Sequence, residues 1–322
     1  MSLFTSFATV FSCFAQSGSN SFCDEYLRNV RKVEKITNMS IAIEQHGKTA
    51  YSFVEGDPDK QGKPFTAETQ LQIASVTKIM TSTLIIRLVE DGKISLYDNV
   101  RRFIPEFPFD DVLILHLMTH TSGCQNKKGN FPKQKQLFYE SMVREFPCDT
   151  QFLYYSNGYD VLADVIERIS GMTIKEFGYK IIFEPLKMNH SEFSLRGGGD
   201  MRSTAEDLLK FSRHILDVRK THKAGILKPC SVDLMFREHT RGRYDRTPAF
   251  FLKSETRVFG RYFGDLNSME SVGHAGASGC FLLLDPKYDL SIVILTNGSN
   301  TIQSDDANFI RINNLLMGQF AK

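Results

Sequence analysis

Apolar residues recur at two spacings along this chain, and each spacing predicts its own kind of element. Phe22 to Val33 reads as an N-terminal helix. Met39 to Ile43 and Thr49 to Phe53 read as strands around His46-Gly47, which makes a hairpin. Ile79 to Val89 is apolar at helical spacing and stops at Gly92, a helix with glycine just past its C-terminus. Leu162, Val165, Ile166 and Ile169 mark a further helix that ends at Gly171. Leu208, Leu209, Phe211, Ile215 and Leu216 mark another, with Ser203 and Glu206 as its expected capping box. Cys280 to Leu284 and Leu290 to Leu295 form a second hairpin across Asp285-Pro286-Lys287-Tyr288-Asp289. A last helix runs through Phe309, Ile310, Ile312, Leu315 and Leu316.

Strands at both ends of the chain with helices between them predict an α+β fold. One lobe is expected from about 22–95 and 250–322, and a mainly helical lobe from about 96–249. The 322 residues, 42% hydrophobic and 24% charged, suffice for a large core. The net charge of +2 comes from 39 basic and 37 acidic residues mixed throughout, which leaves no electrostatic footprint for nucleic acid. Lys127-Lys128 and Arg241-Gly242-Arg243 read as solvated loop faces. No stretch reaches the roughly 18 apolar residues of a transmembrane helix. The six cysteines form no Cys-x-x-Cys and the eight histidines no His-Glu-x-x-His, so neither metal nor cofactor is expected. Residues 1–21 are either a degenerate signal peptide, lacking its basic n-region, or an N-terminal extension. The first favours secretion to the cell envelope and the second leaves the protein cytoplasmic.

Ser75-Val76-Thr77-Lys78 carries the sharpest chemical signal. At i and i+3 on a helix the two side chains share one face. A serine hydroxyl needs a nearby base to act as a nucleophile, and a lysine held in a dry site can lose enough proton affinity to serve. A second proton carrier is expected in Tyr155-Ser156-Asn157, at a junction between loop and helix. Tyr97-Asp98-Asn99 has the same form but falls in a polar turn. Gly273-His274-Ala275-Gly276-Ala277-Ser278-Gly279 opens an apolar strand, where small residues admit a close backbone and offer N–H groups to an oxyanion.

Taken in order, these three elements resemble the serine β-lactamase and penicillin-binding protein superfamily, in the branch of class C β-lactamases, D-alanyl-D-alanine carboxypeptidases and related esterases. Three further segments are similar to that family: Thr119-His120-Thr121-Ser122-Gly123, Pro185-Leu186-Lys187-Met188, and Gly198-Gly199 with Ser203-Thr204-Ala205-Glu206-Asp207. The resemblance runs from about Phe22 to about Gln319. It implies an antiparallel sheet flanked by helices beside a helical lobe, with the site at their seam. It implies an acyl-enzyme on Ser75, assisted by Lys78, with Tyr155 as proton shuttle. Asn157, His274, Gly276 and Ala277 would contact substrate, with the N–H groups of Ser75 and Ala277 as oxyanion donors.

β-Lactamases of this branch usually carry lysine where this chain has His274, and a neutral imidazole recognises carboxylate more weakly. The expectation is therefore a D-amino-acid peptidase or esterase, with a β-lactamase and a non-catalytic penicillin-binding sensor or scaffold as alternatives. The expected partner is a small molecule or peptide: a D-amino-acid peptide, an ester or a β-lactam. Substrate shape would be set by the loops Cys124 to Pro147 and Thr240 to Met269. Oligomeric state is left open.

Overall fold

The computed structural model of the protein describes residues 20–127, 135–254, 262–298 and 307–322. The apolar N-terminal segment, Lys128 and part of the Thr240–Met269 loop lie outside these residues.

The predicted hairpins form. Strand β1 (Asn38–Gln45) pairs antiparallel with β2 (Lys48–Gly56) across His46-Gly47. Four short strands stand outside the main sheet: β3 (Leu71–Gln72) pairs with β6 (Arg202–Ser203), and β4 (Cys124–Asn126) with β5 (Met142–Arg144). Strands β7 (Phe251–Leu252), β8 (Val272–Gly276), β9 (Cys280–Asp285) and β10 (Leu290–Thr296) complete a six-stranded antiparallel sheet in the order β2-β1-β10-β9-β8-β7. β1 lies beside β10, so the two chain ends share one sheet.

Both faces of that sheet are buried, and the period of two decides which residue meets which layer. Met39, Ile41, Ile43, Phe281, Leu283, Ile292 and Ile294 face helix α1 (Ser21–Val33) and the C-terminal helix Ala307–Phe320. Ala42, Leu282, Leu284, Val293 and Leu295 face the other way, into the larger core. Asn20 caps α1 by accepting from the Cys23 N–H at 3.2 Å. Tyr51 ties α1 to the sheet, stacking on Phe320 and donating to Asp24 at 2.6 Å.

The larger core surrounds helix α2 (Thr77–Glu90), which is buried on nearly every side and takes Thr77, Lys78, Thr81, Ser82 and Thr83 into the interior with its apolar residues. Ile79, Met80, Leu84, Ile85 and Leu88 are each fully buried, worth about 1.5–3 kcal/mol apiece. Gly92 takes a left-handed φ of 68° just beyond its end. The helical region adds α3 (Ile114–Met118), α4 (Lys135–Glu140), α5 (Ser156–Ser170), α6 (Ile174–Gly178), α7 (Ala205–Thr221) and α8 (Pro229–Phe236). The cap of α7 differs from the sequence reading. Thr204, not Ser203, accepts from the Asp207 N–H at 3.2 Å, because Ser203 is engaged as a β6 residue with Ser191. Among the described residues no helix is long and apolar enough to cross a membrane.

Candidate active site

Ser75 sits in a 3-10 turn, Ala74–Val76, that runs straight into α2. The turn is tightly held: Val76 N–H donates to Ile73 O at 3.1 Å, and Ile73 N–H donates to Met201 O at 3.0 Å. Ala74 takes a left-handed φ of 45°, a strained conformation that a surrounding structure must enforce. Gly276 of β8 packs directly on this turn. A Cβ there would lie 2.4 Å from Ile73 O, so only glycine lets the strand come so close. Ser278 fastens the same approach by donating to Gln72 O at 2.7 Å. Ser75 and Ala277 thereby line one cleft, together with Ser156, Asn157, Asp160, Gly198 and Asp200.

Lys78, one turn on from Ser75 at the start of α2, is fully buried. Its Nζ lies 3.1 Å from Ser75 Oγ and 3.2 Å from Ser156 Oγ, and it donates to the Gly198 carbonyl. No carboxylate among the described residues lies within ion-pair distance of it. Burial pulls its pKa down to about 7, opposed by Tyr159 and Asp160 and reinforced by Arg246. Asp160 is displaced the opposite way, up to about 6, chiefly by burial; the Gly198 N–H, which it accepts at 3.1 Å, works against that. Gly198 therefore links the two, its carbonyl taken by Lys78 and its N–H by Asp160.

The tyrosine at this site is not the expected one. Tyr155 Oη donates to Asn126 Oδ1 at 2.7 Å, away from Ser75. The physical reason is local. Tyr155 is the extended N-cap residue of α5, and side chains alternate across an extended backbone. Tyr154 and Ser156 therefore turn toward Ser75 and Lys78 while Tyr155 packs on Gly158. The Lys78 Nζ stands 5.1 Å from the centre of the Tyr154 ring. One side of Tyr154 is open to solvent, with 40% of the residue exposed, but its phenol end is enclosed. That burial raises its pKa, while hydrogen bonding with Ser75 and Ser156 and the charge of Arg246 lower it.

Asn157 also departs from expectation. Its Nδ2 donates to Asn126 Oδ1 at 2.7 Å, and the α5 residue beside Lys78 is Ser156. Asn157 still lines the cleft. His274 is buried, 2% exposed. It lies 4.9 Å from the Phe251 ring and 6.2 Å from the Tyr154 ring, with Nδ1 2.7 Å from Ala275 O. Burial and the nearby Arg246 and Lys78 charges keep its imidazole neutral. His120 backs the site from the other side. Its Nδ1 accepts the Tyr155 N–H at 3.1 Å and its ring lies 4.4 Å from that of Tyr154.

Sequence reasoning missed Tyr154, Ser156 and Asn126. The doublet Tyr154-Tyr155 offers two frames of tyrosine followed by a polar residue two places on, and only the alternation across the helix start separates them. Among the described residues no group of His, Cys, Asp and Glu is arranged to hold a metal, and Cys23, Cys124, Cys148, Cys230 and Cys280 are unpaired thiols.

An antiparallel sheet flanked by helices, with a serine and a buried lysine in a cleft at its edge, is the fold of serine β-lactamases and penicillin-binding proteins. A model of the beta-lactamase family matches residues 24–317, and the chain belongs to that family. Over 142 residues it is 32% identical to penicillin-binding protein 4* of Bacillus subtilis, covering 40% of this chain and 32% of that protein. Over 176 residues it is 31% identical to a teichoic acid D-alanine hydrolase of Staphylococcus aureus, covering 53% and 43%. The matched stretches thus span less than half the length of either relative. Among solved structures, the octameric penicillin-binding protein homologue from Pyrococcus abyssi superposes with a TM-score of 0.74 at 20% identity, over 94% of this chain and 78% of that one. EstCE1, a hydrolase with promiscuous acyltransferase activity, gives 0.71 at 19% identity, over 91% and 98%.

Proposed function

We propose that this protein is a serine acyl-transfer hydrolase whose substrate is a D-aminoacyl peptide or a small ester. The observation that carries the reading is the buried Lys78 amine, 3.1 Å from the Ser75 hydroxyl and with its pKa drawn down to about 7. An amine in that state accepts the Ser75 proton as Oγ attacks the substrate carbonyl. The oxyanion that forms is met by the N–H groups of Ser75 and Ala277. Tyr154, beside both Ser75 and Lys78, passes the proton to the leaving group as the tetrahedral species collapses to the acyl-enzyme. Water then attacks the ester as Tyr154 takes its proton, Lys78 hands a proton to the departing Ser75 Oγ, and the acid leaves with the free hydroxyl restored.

Two further observations support a peptidase or esterase over a β-lactamase. His274 is buried and neutral, so it brings no cation to the cleft for a drug's carboxylate. The relatives include a protein named for D-alanine hydrolysis. The test is turnover of p-nitrophenyl acetate and of a D-alanyl p-nitroanilide, with parallel incubation with a fluorescent penicillin and intact-mass measurement. Turnover of either substrate that is lost in Ser75→Ala supports the reading. A stable penicillin adduct on Ser75 with no turnover would favour a sensor, and rapid opening of nitrocefin a β-lactamase. Neither adduct nor turnover would leave a scaffold.

A further inference from the structure

A second cation lies in the core behind Lys78. Arg246 is fully buried, and among the described residues no carboxylate pairs with it. Its Nη2 donates to Tyr159 Oη at 3.0 Å and to Met118 O at 3.4 Å, and its Cζ lies 4.4 Å from the centre of the Phe251 ring. Nε and Nη1 are buried without a hydrogen-bond partner. A guanidinium taken out of water is not repaid by one phenol and one carbonyl, so its position costs the fold stability. The same Tyr159 that receives Arg246 has the Lys78 Nζ 5.5 Å from its ring centre. Two buried cations thus share one aromatic side chain.

We propose that Arg246 is an electrostatic positioning residue for this site, a fixed charge in the core that keeps the Lys78 amine free to accept the Ser75 proton. The proposal rests on Lys78 acting as the proton acceptor, as argued above. Burial is the main cause of the free amine, and among the charged groups around Lys78 the supporting part falls to Arg246. Ser75 comes from its own turn; Tyr154, Ser156, Tyr159 and Asp160 come from the start of α5; the Gly198 carbonyl comes from the adjoining loop. His120 and His274 face the same region, and burial with the Arg246 and Lys78 charges holds both neutral. Asp160 is the carboxylate acting on Lys78, and it favours the ammonium. Arg246 opposes it. Without that charge, burial alone would stand against Tyr159 and Asp160, and a larger share of Lys78 would be protonated near neutral pH.

The test is the pH profile of kcat/KM for p-nitrophenyl acetate in the wild type, R246Q and R246K. Gln retains a donor for Tyr159 while removing the charge, and Lys retains the charge on the acid side of the profile, below the range into which burial draws such an amine. The acid limb of R246Q should move up by about one pH unit, a tenfold loss near pH 6 that shrinks to within about twofold near pH 9. R246K should keep the wild-type limb. A folded R246Q whose limb superposes on the wild type overturns the proposal, as does a uniform loss at every pH, which marks a merely structural residue. Where Gln does not fold, R246M puts the same question. If neither neutral variant folds while R246K does, the charge serves the fold and the proposal is lost. Ester turnover that persists in Ser75→Ala, or is absent from the wild type, strikes the underlying reading instead.

Discussion

The amine of Lys78 stands 3.1 Å from the Ser75 hydroxyl, and one 3-10 turn running into α2 carries both. Nothing in that pairing depends on a flexible loop. Because burial draws the Lys78 pKa from its usual range to about 7, the reactive free amine grows as pH rises through that point. Ester turnover should therefore climb about tenfold per pH unit on the acid side and level off above it. Lys78→Arg keeps the cation but cannot release a proton in this range, and should lose about 10³-fold on the plateau, with the gap narrowing as the wild type falls on the acid side. A stopped-flow pH series on both proteins checks this; a profile flat from pH 5 to 9 would remove Lys78 from the chemistry.

The two neighbouring tyrosines should separate cleanly. Tyr154→Phe removes the phenol next to Ser75 and Lys78 and should cost about 10²–10⁴ in turnover with little change in melting temperature. Tyr155→Phe removes a hydrogen bond to Asn126 and should cost about 1 kcal/mol of stability while turnover stays within about threefold. Steady-state kinetics and thermal melts on the pair decide it. The reverse pattern would restore the assignment drawn from the sequence.

That reversal shows where sequence reasoning reached and where it stopped. The hairpins at 38–56 and 280–296, the α2 helix with Gly92 and the α5 helix with Gly171 were legible because periodicity and turn chemistry are local properties. Ser75 and Lys78 were legible for the same reason, since a spacing of three residues on a helix fixes their proximity. The tyrosine was not, because its frame depends on where the extended segment becomes helix, a matter of one residue. His274 was not, because its burial needs Phe251 and Tyr154 to close over it from distant parts of the chain. Arg246 gave no sign at all: nothing in a sequence tells a solvated arginine from one sealed beside Tyr159.

Asp289 gives a pH signature independent of the cleft. It sits in the turn before β10 and accepts from Arg213 at 2.6 Å, Lys220 at 2.8 Å and His46 at 3.2 Å, which ties α7 to the sheet. Burial alone would raise its carboxyl, but those hydrogen bonds outweigh it and hold it well below the usual carboxylate range. A lowered carboxyl contributes stability above its unfolded pKa of about 4 and loses it as pH falls toward the folded value. Asp289→Asn should therefore cost about 2 kcal/mol at pH 7, with the gap to wild type narrowing below about pH 4. Urea titrations at several pH values test this, and a gap that widens with acid would refute the sign.

Gly276→Ala tests whether the contact between β8 and the Ser75 turn sets the geometry of the cleft. The added Cβ would meet Ile73 O at 2.4 Å and the Ala74 Cβ at 3.3 Å. Ile73 O is backbone and already accepts the Val76 N–H, so it cannot swing aside as a side chain would. Either β8 or the turn must move, and Ala277 or Ser75 moves with it. Overpacking of this kind costs about 1–3 kcal/mol, and a displacement near 1 Å at a reacting centre costs about 10² in rate. The control is Gly62→Ala, where nothing lies within 4 Å but φ is +80°; it should lose stability through backbone strain with turnover unchanged. A Gly276→Ala protein that melts lower yet turns over at the wild-type rate would mean that the strand and the serine turn are not coupled, and that the oxyanion donors lie elsewhere.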